Sequence, residues 1–267
     1  MEKVIQMEST IHAAPIAPGF VRQPLSRWRA AAIHFALSLL VGLAVVALMM
    51  LIWFPAPYFE AMGGGGLLLL IVGVDVVLGP LITLIIFDTK KKSLKFDLSC
   101  VAIVQLVALA YGVSMMFMAR PVYTVFNTNR FDVVIAADID ATERAKVVLP
   151  EFKSLPLYGP QVVAMEQPND MNEARRMIES GIDTRAFSQH YRPYVASARA
   201  AGSVSKSLAA VHALKPEVAK RLSAFIAEKS LDESKVGFLP LYTRNQDMTV
   251  VLDRETGVIL ALAPVTL

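Results

Sequence analysis

From Ala30 to Phe54 the chain runs 25 residues with His34 as its only ionisable group. A helix of that length covers about 37 Å, enough to cross a bilayer core with some tilt. Two more such runs follow, Leu67 to Phe87, interrupted by Asp75 and Pro80, and Leu98 to Ala119, in which Gln105 is the most polar residue. No cleavage-type stretch of small residues follows the first run. It ends in Trp53-Phe54-Pro55-Ala56-Pro57-Tyr58-Phe59-Glu60, which reads as an interfacial belt of Trp53, Tyr58, Phe59 and Glu60 with helix-breaking prolines at Pro55 and Pro57. The expectation is three retained spans, at about 30–54, 67–87 and 98–119, within a membrane domain of residues 26–119.

Charge sets the expected orientation. Lys3, Arg22, Arg27 and Arg29 precede the first span and Lys90, Lys91, Lys92 and Lys95 fill the second loop, whereas the first loop has Glu60 and no basic residue. The basic segments belong in the cytoplasm, which places residues 120–267 on the outer side, the periplasm in a bacterium. Residues 1–25 lack periodicity and read as a disordered cytoplasmic leader. The outer part carries 18 Lys and Arg against 17 Asp and Glu, so nucleic acid is excluded as a partner. Cys100 is the one cysteine and lies in a span, which rules out a disulfide scaffold or a cysteine metal site outside the membrane.

Residues 120–267 alternate strand and helix signals. Val122–Phe126 and Phe131–Ala136 flank a polar turn and predict a hairpin; Gln161–Met165, Val236–Tyr242, Met248–Leu252 and Val258–Ala263 predict further strands. Helical spacing covers Ala141–Phe152, Asn169–Ser180 with Asn169 as N-cap, and the stretch opening at Pro216. The expected fold class is a membrane protein of three transmembrane α-helices followed by a periplasmic α+β domain with a small antiparallel sheet.

Motifs for catalysis are thin. Ser203-Val-Ser-Lys206 fits the S-x-x-K pattern of acyl-enzymes, but its partner motifs S-D-N and K-T-G are missing. Asp138 and Asp140 form a D-x-D pair without a further ligand at metal spacing, so a capped turn is the expected role. His12, His34, His190 and His212 are dispersed, and Gly63–Gly66 lacks the strand and lysine of a phosphate loop. No catalytic, cofactor or metal site is expected.

Asp75 is different in kind, because a carboxyl near the middle of a span costs on the order of 2.5–3.5 kcal/mol to insert unless something compensates. Two roles are open: a hydrogen-bonded residue that holds the helices in register, or a contact for a partner helix. Pro80 strips a donor from the preceding turn, and Gly73 and Gly79 allow close helix approach. Counted from the outer span ends, Asp75 and Tyr111 both lie about 12 Å deep. That makes Tyr111 the expected hydrogen-bond donor, and it pairs the deeper Gln105 with Thr83.

Several strings together resemble one family: Ser26-Arg-Trp28, Trp53-Phe-Pro-Ala-Pro-Tyr-Phe-Glu-Ala-Met62, Val72-Gly-Val-Asp-Val-Val-Leu-Gly-Pro-Leu-Ile-Thr83, Lys90-Lys-Lys-Ser-Leu-Lys-Phe-Asp-Leu98 and Ala119-Arg-Pro-Val-Tyr123. They are similar to the TfpX/TfpZ type IV pilin accessory proteins, from about residue 26 onward and most densely in the membrane part. The resemblance implies a bacterial inner-membrane protein that assists assembly or surface expression of a cognate major type IV pilin by non-catalytic, chaperone-like binding. Membrane lipid and other inner-membrane pilus assembly components are the remaining expected partners. The competing classes are a membrane-anchored periplasmic sensor and a membrane-embedded enzyme acting on pilin. The first needs a cytoplasmic output domain where only a leader and a short loop stand, and the second needs a further catalytic group near Asp75.

Overall fold

A computed structural model describes residues 26–181 and 183–267; the leader expected over residues 1–25 lies outside the described residues. Among the described residues, three helices are long and apolar enough to cross a membrane: Arg27–Trp53, Gly64–Ile86 and Leu94–Ala119. Polar flanks continue the helices beyond the apolar runs. Ser26 Oγ accepts from the Arg29 amide at 3.3 Å and caps the first, the second opens inside the glycine run at Gly64, and Leu94–Asp97 adds a turn to the third.

In the half nearest the sheet domain, Val45, Met49 and Trp53 of the first span, Ile71 of the second and Met116 of the third share one buried cluster. Small residues permit this approach. A methyl group on Gly112 would lie 2.8 Å from Ile71 Cγ1, and one on Gly42 would lie 3.0 Å from Val72 Cγ1. Close backbone contact of this kind supplies the van der Waals packing that holds helices together in lipid.

Beyond the third span the described residues form seven strands: β1 (Pro121–Asn127), β2 (Arg130–Ile135), β3 (Gln161–Met165), β4 (Tyr191–Pro193), β5 (Val236–Tyr242), β6 (Met248–Asp253) and β7 (Ile259–Ala263). They make one sheet in the order β4-β3-β1-β2-β5-β6-β7. The small antiparallel sheet expected from the sequence is corrected to a mixed sheet, because β1 pairs β3 and β2 pairs β5 in parallel. The physical reason is the connections. Short turns at Asn127–Arg130, Thr243–Asp247 and Asp253–Gly257 can only reverse the chain, whereas the long excursions before β3 and β5 are free to cross over and return in the same direction.

The helix Pro216–Glu228 buries Ala219, Leu222 and Ile226 against Val236, Phe238 and Val251 on one sheet face. The helix expected over Ala141–Phe152 is a single turn, Ala141–Arg144, and a 3-10 turn at Pro150–Phe152. Val147 and Val148 weaken helix there and Pro150 stops it. Asp170, not Asn169, caps Met171–Glu179. The short helices Ala198–Val204 and Leu208–Leu214, and β4, were not signalled by periodicity.

Candidate functional site

Polar side chains join the spans in two places. His34 Nδ1 of the first span and Thr83 Oγ1 of the second lie 2.6 Å apart, and Gln105 of the third reaches Asp75 of the second. The latter is built from the backbone upward. Val74–Leu78 is a π-helical turn, in which a carbonyl pairs with the amide five residues on. For Asp75 that residue is Pro80, which has no N–H. Gln105 Nε2 supplies the missing donor at 3.2 Å and also donates to Asp75 Oδ1 at 3.1 Å. Gly79 makes room, since a methyl group there would overlap the Gln105 amide. Asp75 is 9% exposed.

The expected Asp75–Tyr111 and Gln105–Thr83 pairings are therefore corrected. The second span starts at Gly64 instead of Leu67, which sets Asp75 about 4.5 Å deeper than the apolar run suggested, and a glutamine side chain covers the remaining offset. Helix rotation settles the rest. Gln105 and Gly112 are seven residues apart and share the face toward the second span, whereas Tyr111, one residue before Gly112, is turned about 100° away and is 68% exposed.

Replacing Gln105 with leucine should cost on the order of 1–2 kcal/mol, because the Asp75 carbonyl and carboxyl lose a common donor. Asp75→Asn, which keeps the side-chain acceptor, should unfold close to wild type. Thermal unfolding in detergent micelles measures both, and equal losses for the two variants would show that the carboxylate itself is required.

Of the residues expected in the interfacial belt, Trp53 and Tyr58 are buried against protein, Phe59 is half-buried and Glu60 is exposed. Trp53 is buried edge-on to Phe117, with ring centroids 5.2 Å apart, and Phe54 is buried against Phe59. Tyr58 and Ala61 enter the sheet core beside Phe126, Phe131 and Leu239, where Tyr58 Oη and Thr124 Oγ1 lie 2.9 Å apart. Burial pushes the Tyr58 hydroxyl pKa up and the Thr124 bond offsets part of the rise. The β5–β6 turn closes over the same loop: the Ala61 carbonyl accepts from Thr243 Oγ1 at 2.9 Å and from the Asn245 and Gln246 amides, and Asn245 Nδ2 donates to the Glu60 carbonyl. The first loop is thus part of the sheet domain's core. Lys90, Lys91, Lys92 and Lys95 are exposed at the opposite end of the helices, with Lys91 paired to Asp97.

Within the domain, the D-x-D pair has structural partners. Asp138 receives Arg244 Nη2 at 2.7 Å and the Ile135 amide, and Asp140 caps the Ala141–Arg144 turn. Ser203 Oγ donates to the Ala200 carbonyl, and Lys206 pairs its backbone with Phe238. Among the described residues no group of three or more His, Cys, Asp and Glu could hold a metal ion. A groove of about 380 Å³ lies between the β1–β2 turn and β5, lined by Arg130, Lys206, Lys215 and Tyr242; Lys215 Nζ donates there to the Leu267 carbonyl.

A charge cluster that sequence reading missed surrounds Glu143, whose side chain is 6% exposed. It accepts from Arg176 at 3.0 and 3.3 Å, from Lys146 at 2.7 Å and from Gln189 at 2.8 Å. Burial pushes this carboxyl up, but those hydrogen bonds outweigh it and leave it below the usual carboxylate range. Arg176, assisted by His190, holds Glu173 at about 2. The residues are scattered over three segments, so no local motif could have shown the cluster.

Among the described residues, three helices long and apolar enough to cross a membrane, sharing a core with a mixed-sheet domain, define the class of protein. The family model described as fimbrial assembly protein FimB matches residues 22–63, the first span together with the loop that enters the sheet. The chain is 30% identical over 240 residues to the fimbrial assembly proteins of serogroups E1 and I of Dichelobacter nodosus, covering 86% of this chain and 92% of each relative. It is 38% identical over 109 residues to that of serogroups C1 and C2, covering 40% of this chain and 83% of the relative. The chain belongs to the fimbrial assembly protein family. No solved structure matches it.

Proposed function

We propose that the protein is a non-catalytic accessory factor for type IV pilus assembly, of the TfpX/TfpZ kind, seated in the bacterial inner membrane with residues 120–267 in the periplasm. The relatives' shared designation supports the pilus role. The basic residues at the far end of the helices support the orientation. The observation that carries the mechanism is the first loop, which locks the helix bundle to the sheet through Tyr58 and Ala61. A pilin has one apolar helix in the membrane and a globular head outside it. A partner in which bundle and domain hold a constant relation can engage both parts at once, which adds their contributions without a second search for geometry.

Removal of the gene should sharply reduce surface pili while full-length, unmodified pilin stays in the membrane. Pili counted by electron microscopy, together with the mass of membrane pilin, test this. A changed pilin mass would make the protein an enzyme, and unchanged pili would end the accessory reading.

A further inference from the structure

The loop aromatics expected at the membrane interface are committed to protein contacts, yet another segment is pinned at that level. The Gly159 amide donates to the Ile52 carbonyl, one residue before the end of the first span, at 2.9 Å. Three residues earlier the Pro156 carbonyl accepts from Arg120 Nε at 3.4 Å, immediately after the third span. Arg120 is itself held there, donating to the Phe117 carbonyl at 2.6 Å with its guanidinium 3.6 Å from the Phe117 ring centre. The turn is therefore anchored to the ends of two spans, one on each side of its tip. Gly159, at φ +50°, packs on Pro55 and draws the chain in close. Between the anchors stand Leu157, 55% exposed, and Tyr158, 77% exposed.

We propose that this turn is a lipid-contacting wedge: Leu157 enters the outer edge of the acyl region and the Tyr158 ring lies among the headgroups, so that the sheet domain rests on the bilayer surface. The argument is positional. Two anchors at span ends, one a backbone amide bond and one the Arg120 side chain, hold the tip at the interface, and a leucine beside a tyrosine suits that boundary, where the amphipathic ring sits at the headgroup level with its hydroxyl wet. This inference rests on the reading of the three helices as membrane spans.

The test uses the full chain in vesicles of phosphatidylethanolamine and phosphatidylglycerol. Cys100 is the one cysteine in the sequence, so a Cys100→Ser background accepts single cysteines, carrying an environment-sensitive fluorophore, at Leu157, Tyr158, Leu214 or Val104. Leu214 is 67% exposed on the far sheet face and Val104 is 68% exposed in the third span. Nitroxide-bearing lipid should quench the probes at 157 and 158 severalfold more than the probe at 214, and those two probes should be shielded from aqueous iodide. Quenching at 104 but not at 157 and 158 would overturn the wedge and leave the spans intact, whereas no quenching at 104 would overturn the spans themselves. Shielding from iodide without quenching by lipid would mean that protein covers the turn, and would also overturn the proposal.

Discussion

Tyr58→Ala should lower the stability of the full-length protein by about 3–5 kcal/mol, the usual cost of removing a buried aromatic ring. The ring is 7% exposed within the sheet core, and its loss also strands Thr124 Oγ1, whose residue is 1% exposed. Tyr58→Phe keeps the packing and removes only the hydroxyl, so it should cost about 1 kcal/mol. Urea unfolding in micelles, followed by circular dichroism, measures the pair. Because the loop also joins two spans, the alanine variant should expose the Leu239 face to limited proteolysis. A loss below about 1 kcal/mol for Tyr58→Ala would mean that the loop sits against the sheet without being part of its core.

Arg176→Leu should cost on the order of 2–3 kcal/mol. It leaves Glu143 buried and short of two hydrogen bonds, although Lys146 and Gln189 remain and Arg176 is itself 37% exposed. The loss should depend on pH in a defined sense. Arg176, with a smaller share from His190, lowers Glu173 from an ordinary 4.5 to about 2 in the folded chain. A depressed carboxylate contributes stability that is complete above its unfolded value and disappears as pH falls through the folded value. The gap between wild type and variant should therefore be full at neutral pH and narrow as pH drops from about 4.5 toward 2. Urea unfolding over that acid range measures it, and a gap constant with pH would place the cost of the substitution in packing.

Much of the architecture was legible because it depends on one segment at a time. Hydropathy is summed along a run, so the spans around His34, Asp75 and Gln105 needed no knowledge of their neighbours. Runs of β-branched and aromatic residues bounded by turn residues likewise marked β1, β2, β3, β5, β6 and β7, since that preference is also written in the strand's own residues. Short elements escaped for the same reason. β4, with three residues, and Ala198–Val204, with seven, are too brief to display a period and are held in place by what surrounds them.

The sequence by itself determined that this chain has three apolar helices, an acidic residue at mid-span and a strand-rich domain after them. Only the tertiary structure decided relations between segments: which strands pair in parallel, that Gln105 and not Tyr111 meets Asp75, and that Tyr58 enters the sheet core. The physical reason is common to all three. Burial preference belongs to a residue and is written locally, whereas a partner is chosen by depth, helix rotation and crossover path. A three-residue shift in one span start, or a turn of about 100° around a helix, is enough to change that choice.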